Sequence, residues 1–233
     1  MACILHIETS TRVCSVAVSQ DSAVIFDKAD FEGPNHATVC APFVAEALSF
    51  AERHAIPLDA VAVSSGPGSY TGLRIGVSTA KGVAYGRGVP LIDVSTLELL
   101  CVPVLLYHDD VPDDALFVPM LDARRMEVYA AVYDRALHAR RQPAADIVDA
   151  TTYAEWLNAG HVCFFGPGAA KCKAAINHPN AIFIDSIDPL AKYMQPLAEK
   201  ALAQGCTADV AYMEPFYLKD FVATKPRDLL HTN

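Results

Sequence analysis

The tripeptide Gly-Pro-Gly occurs twice, at Gly66-Pro67-Gly68 and Gly166-Pro167-Gly168. Each copy follows a short apolar run, Val61-Ala62-Val63 or Val162-Cys163-Phe164-Phe165, and precedes a helix-like stretch. A strand that enters a glycine turn and then a helix is half of a β-α-β unit, and its recurrence predicts a duplicated architecture. The fold class expected is α/β, with two related lobes, each a mixed sheet of βββαβαβ type with flanking helices. The lobes are placed at residues 1–100 and 101–233, and a cleft is expected between them.

The rest of the chain falls into this scheme. Residues 2–7, 13–19 and 23–26 alternate in the manner of three strands joined in series, with a polar turn at Gln20-Asp21-Ser22. Residues 37–51 read as a helix, 60–64 as a strand, 71–86 as a second helix and 90–94 as a closing strand. The second half offers strands at 116–121 and 126–133 about a turn at 122–125, a helix at 151–158, and a strand at 162–165. A helix from 169, a strand at 181–184 and a helix at 190–203 complete it. Residues 97–114, with Pro103, Pro112 and five acids, give no clear element. Residues 214–219 read as ordered, and a frayed polar end is expected beyond them.

Of the 233 residues 52% are hydrophobic, ample for a core without covalent staples. The net charge of −9 sets the overall field against nucleic acid and anionic lipid. Seven cysteines form no Cys-x-x-Cys and lie mostly in apolar runs, which points to a reducing cytoplasm. No leader and no run of membrane-spanning length are recognised, so a soluble cytoplasmic chain is expected.

A glycine loop between a strand and a helix N-terminus can hold an anion, because free N–H groups and the helix dipole converge there. Gly66, Gly68, Gly166 and Gly168 are therefore candidate anion or nucleotide positions. Neither established nucleotide fingerprint is present, and a tight turn capped by Ser69 or Thr71 explains the first loop as well. Glu8, Thr9 and Ser10, at the end of the first strand, stand where two-lobed nucleotide enzymes place an aspartate and small hydroxyl residues around phosphate. The matching turn of the second half is Asp122-Ala123-Arg124-Arg125, whose side chains obstruct the close approach that glycine allows. Arg124 is retained as a candidate anion contact, with an exposed hairpin tip as the alternative. The eight histidines include no pair three or four residues apart, so no helical metal site, catalytic residue or cofactor is assigned. His6, in an apolar strand, is read as a core residue.

Gly72, Gly76, Ala80 and Ala84 recur every fourth residue and form a ridge of small side chains that lets another helix approach. Val39, Phe43, Val44 and Leu48 occupy more than one face of the preceding helix. These residues, with Leu73, form the candidate partner interface; the alternative is that the two helices cover each other.

Five segments together resemble the TsaB family, historically called YeaZ: Ile7-Glu8-Thr9-Ser10, Ser65 through Gly76, Ala80-Lys81-Gly82, Asp122 through Tyr129, and Glu214-Pro215-Phe216-Tyr217-Leu218. Tyr70 and Met126 depart from the family's commonest residues, phenylalanine and glycine. The resemblance implies an actin-like fold and a heterodimer with a TsaD-like transferase, which places a threonylcarbamoyl group on N6 of adenosine 37 in tRNA. It also implies recruitment of a TsaE-like ATPase, and contact with tRNA only through the complex. TsaD-type enzymes carry two metal-binding histidines in Val-Asn-His-Leu-Glu-Gly-His; here Val94-Ser95-Thr96-Leu97-Glu98-Leu99-Leu100 puts Thr96 and Leu100 in their places. A non-catalytic partner of the transferase is therefore expected. The competing readings are an ATP-dependent phosphotransferase or hydrolase using the cleft, and a self-associating module that forms a homodimer when alone.

Overall fold

The computed structural model describes residues 2–33 and 35–219. Its first sheet contains β1 (Cys3–Glu8), β2 (Cys14–Gln20), β3 (Ala23–Asp30), β4 (Ala60–Gly66) and β5 (Leu91–Ser95), in the order β3-β2-β1-β4-β5. The hairpin partners β1, β2 and β3 run antiparallel, whereas β4 and β5 add parallel to β1. Between the strands run α1 (His36–Arg53) and α2 (Tyr70–Arg87). Ser69 caps α2 by accepting from the Gly72 N–H, and Gly88, at φ 66°, ends it in the left-handed conformation.

Every residue of β1 is buried. Cys3, Leu5 and Ile7 join the core beneath α1 and α2, while Ile4 points into a second core on the opposite face. An apolar run covered on both faces is what a central strand requires. His6 meets that requirement by pairing its Nε2 with Ser19 Oγ at 2.8 Å, in keeping with a core histidine.

The second sheet contains β6 (Leu116–Asp122), β7 (Glu127–Tyr133), β8 (Ala139–Ile147), β9 (Val162–Phe165) and β10 (Ala181–Ile184). Its order, β10-β9-β6-β7-β8, is the first sheet's order read in reverse, with the same pattern of antiparallel and parallel pairs. The duplication read from the Gly-Pro-Gly repeat is therefore present in strand topology. It fails in the helices. Where α1 and α2 have 18 residues each, their counterparts are α4 (Ala154–Ala159), of 6 residues, and a 3₁₀ turn at Ala170–Cys172. The helix expected from residue 169 is that single turn.

The segment between the sheets, left without an element by sequence, is α3 (Thr96–Tyr107). Leu97, Leu100, Cys101 and Val104 pack into the second lobe, and Leu99 packs into the first. Burial on both sides holds this helix together despite Pro103 in its interior. The last helix, α5 (Gln195–Ala203), returns to the first sheet, where Met194 and Ala198 cover Ile4, Ala60, Ala62, Ile92 and Val94. Residues 206–217 continue as a strap over the same lobe, and Lys219 pairs with Glu127 of the second sheet. The Ala208 N–H donates to the Leu91 carbonyl at 2.8 Å, and Lys81 Nζ donates to the carbonyls of Ala211 and Met213. The frayed end expected beyond residue 219 lies outside the described residues.

Candidate functional site

The chemistry expected of Glu8, Thr9 and Ser10 depends on what surrounds them at the end of β1. Glu8 is fully buried, and its Oε1 accepts from the Ser10 N–H at 2.5 Å. Its Oε2 and the nearby buried hydroxyls of Ser10 and Ser64 make no well-aligned hydrogen bond. Burial lifts the Glu8 carboxyl to about 7, against a pull downward from the Ser10 and Ser64 hydroxyls and the Ser10 amide. Thr9 points the other way and donates to the Gly72 carbonyl at 2.8 Å.

Both glycine loops close on strand ends. In the first, the Ser69 N–H donates to the Ser10 carbonyl at 2.6 Å and Leu73 N–H to the Ser69 carbonyl at 2.8 Å. Gly66, at φ +123°, lies so near the strap that a β-carbon there would stand 2.5 Å from the Phe216 carbonyl oxygen. Phe216 in turn donates its N–H to the Ser65 carbonyl at 2.7 Å. In the second loop the Gly168 N–H donates to Met120 and the Ala169 N–H to Gly166. Because that loop leads into a three-residue turn, it lacks the helix dipole that the anion reading assumed. Gly166 and Gly168 thus lose half of the rationale for an anion site.

Arg124 and Arg125 both have positive φ, 71° and 46°, at the tip of the β6–β7 hairpin. The Arg124 N–H is held by Asp122 Oδ1 at 2.9 Å, and both side chains are exposed. The structure does not bring them to Glu8 by any contact.

Thr96 and Leu100 occupy the first two turns of α3. Leu100 Cδ1 lies 3.2 Å from where a Gly166 β-carbon would stand, so an apolar side chain fills the space against the second glycine loop. Thr96 Oγ1 is buried without a partner. A hydroxyl and an isobutyl group do not fit a metal that wants two imidazoles. Among the described residues no group of three histidine, cysteine or acidic side chains is placed to hold a metal ion. A cavity of 310 Å³ opens beside the first loop, lined in part by Ser65, Asp93, Ser95, Glu98 and Phe216. Burial and the nearby Asp93 raise the Glu98 carboxyl, and Lys200 opposes them.

Burial turns most of the candidate interface residues toward the chain's own core. Gly72, Leu73, Gly76, Ala80 and Ala84 are the inward face of α2, all buried against the chain's own sheet. A β-carbon at Gly76 would stand 2.2 Å from Thr9 Oγ1, so the small residues at this end of the ridge let the helix lie close to Thr9, just past the end of β1. Val44 is buried likewise, and Val39, Phe43 and Leu48 pack against the same core. The outward faces present other residues. On α1 these are Ala37, Ala41, Ala45 and Ser49, and on α2 Arg74, Ser78, Gly82 and Gly86. At Gly82 and Gly86 an added β-carbon would meet nothing within 4 Å. Sequence reasoning passed over this face because both sides of α2 carry small residues at fourfold spacing. The exposed glycines were the available signal: an interior glycine costs about 1 kcal/mol relative to alanine, and here no close packing within the chain offsets it.

Residues 32–226 match the family model described as TsaD, tRNA N6-adenosine threonylcarbamoyltransferase. The TsaB protein of Escherichia coli, described as a tRNA threonylcarbamoyladenosine biosynthesis protein, is 31% identical over 95% of this chain and 96% of its own length. Its Bacillus subtilis counterpart is 35% identical over 56% of this chain and 54% of its own. Among solved structures, YeaZ from Pseudomonas aeruginosa superposes with a TM-score of 0.76 at 25% identity, covering 94% of this chain and all of that one.

Proposed function

The chain belongs to the TsaB family of tRNA threonylcarbamoyladenosine biosynthesis, and from that membership we propose that it is the non-catalytic, activating partner of a TsaD-like transferase. The observation that carries this reading is the outward face of α1 and α2. Its small side chains and open glycines leave much of two adjacent helices exposed, with Arg74 held by Tyr217 at one end, while their inward faces pack on the chain's own core. Helices of a related lobe can approach such a surface closely. The resulting heterodimer positions the transferase, recruits a TsaE-like ATPase and meets tRNA through its partner, in the cytoplasm. Self-pairing through the same face accounts for a homodimer when the partner is missing. No described helix is long and apolar enough to cross a membrane.

Support for the absence of catalysis comes from the closed glycine loops and from Leu100, whose side chain replaces a metal-ligand position. Co-expression with the TsaD-like transferase tests the proposal. Gly82→Arg and Ala41→Arg are expected to abolish co-elution on size exclusion while leaving the melting temperature within about 2 °C of wild type, since each side chain projects into open space. Undiminished complex formation by both variants refutes the assignment of this face.

One observation favours the second reading, a phosphotransferase or hydrolase: the buried Glu8 carboxyl with an oxygen that makes no well-aligned hydrogen bond. Calorimetry with Mg-ATP on the isolated chain separates the two. Saturable heat lost in Glu8→Gln supports the enzyme; its absence supports the partner.

A further inference from the structure

A second cavity, of 270 Å³, lies away from the glycine loops and from the outward helix face. Three parts of the chain meet there: Phe31 just after β3, Tyr107 at the end of α3, and residues 186–193 on the return path from β10 to α5. Its walls include Phe31, Tyr107 and Tyr193, together with Pro103 and Leu190, and one carboxyl group, Asp188.

The aromatic wall is built on fixed backbone. The Ala191 N–H donates to the buried Ser15 Oγ at 2.9 Å, and the Tyr193 N–H donates to the Leu190 carbonyl at 2.9 Å. Tyr107 and Tyr193 then meet edge to face, with ring centroids 6.1 Å apart at 64°, which makes a corner. Phe31 and Tyr107 are 58% and 67% exposed, a large aromatic surface for two rings to leave in water.

Asp188 is half-buried, and burial alone raises its carboxyl above the ordinary range. No hydrogen bond or ion pair reaches it among the described residues. The nearby lysine is already matched. Lys192, whose Nζ stands 5.5 Å from the Tyr193 ring centre, is paired with Asp27 at 3.2 Å, and His108 faces Asp110 at 3.8 Å. The lining therefore keeps one carboxyl group without a partner among the described residues, in the same cavity as three aromatic rings.

We infer that this cavity is a binding site for a small organic ammonium ion, with Asp188 as its counter-ion and Phe31, Tyr107 and Tyr193 as its walls. The alternatives are disfavoured by the same groups. A neutral apolar guest would strip water from the Asp188 carboxylate without replacing it. An anion would be repelled by that charge. A cation satisfies both the carboxylate and the rings, as alkylammonium groups do in aromatic cages.

Calorimetric titration of the full chain with tetramethylammonium chloride and with spermidine hydrochloride, against sodium chloride at matched ionic strength, tests the inference. At least one amine is expected to bind saturably with one site. Asp188→Asn is expected to weaken binding at least tenfold, and Tyr107→Ala, at an exposed ring that folding does not need, at least threefold. Asp93→Asn, a carboxylate of the other cavity, should bind as wild type does, which separates a built site from general attraction to an acidic protein. Circular dichroism checks that each variant is folded. Heat no greater than that of sodium chloride, or equal binding by Asp188→Asn, overturns it.

Discussion

Glu8 and His6 are both fully buried on β1, and they titrate in opposite senses. Burial lifts Glu8 from 4.5 to about 7, so the folded chain holds that proton more tightly than the unfolded chain does. The stability it confers is complete below 4.5 and is lost as the pH rises through 7. Burial lowers His6 from 6.5 to about 3, so its contribution is complete above 6.5 and is lost as the pH falls through that window. Glu8→Gln keeps an acceptor for the Ser10 N–H and removes the buried charge. It is therefore expected to stabilise the chain at pH 8 by up to about 3 kcal/mol, because each tenfold difference in proton affinity between the folded and unfolded chain is worth about 1.4 kcal/mol, and by little at pH 4.5. Thermal melts at the two pH values check the sign. The acid at position 8 was legible in the sequence, but its state was not, because the state depends on what β2, β4 and the first glycine loop bring over it.

At the scale of the element, α2 has two faces of small residues with opposite roles. Gly76→Ala pushes a β-carbon into Thr9 and is expected to destabilise by about 1–3 kcal/mol, as overpacking does. Gly82→Ala meets nothing and is expected to stabilise by up to about 1 kcal/mol. Chemical denaturation of the pair measures the difference; equal effects would contradict the assignment of faces. Elements with a strong local signal were legible: β9 and β10 fall at the residues expected, since apolar runs between turn residues leave little choice. β8 was missed because Ala139-Arg140-Arg141-Gln142-Pro143 lacks β-branched residues. It is a strand because β7 pairs with it, and its edge position tolerates the proline. α3 was missed for a related reason, as tertiary burial outweighs the helix-breaking signal of Pro103.

For the whole molecule, the sequence made the duplication visible through its turns, which are local, and left its asymmetry hidden. Nothing near Gly166 announces that the following helix has shrunk to a turn, or that the last helix belongs to the first sheet. The expected boundary near residue 100 marks where the first five strands end, yet residues 191–217 pack with them. That crossing over has a consequence for biosynthesis. As the chain emerges from the ribosome, one greasy flank of the amino-terminal sheet has only part of its cover, because the rest is encoded about 100 residues downstream of β5, at α5. The amino-terminal half is therefore expected to complete its fold only once that cover has been made. A fragment comprising residues 1–187 should stay sensitive to dilute protease where residues 1–219 resist; equal resistance would show that the early half matures unaided.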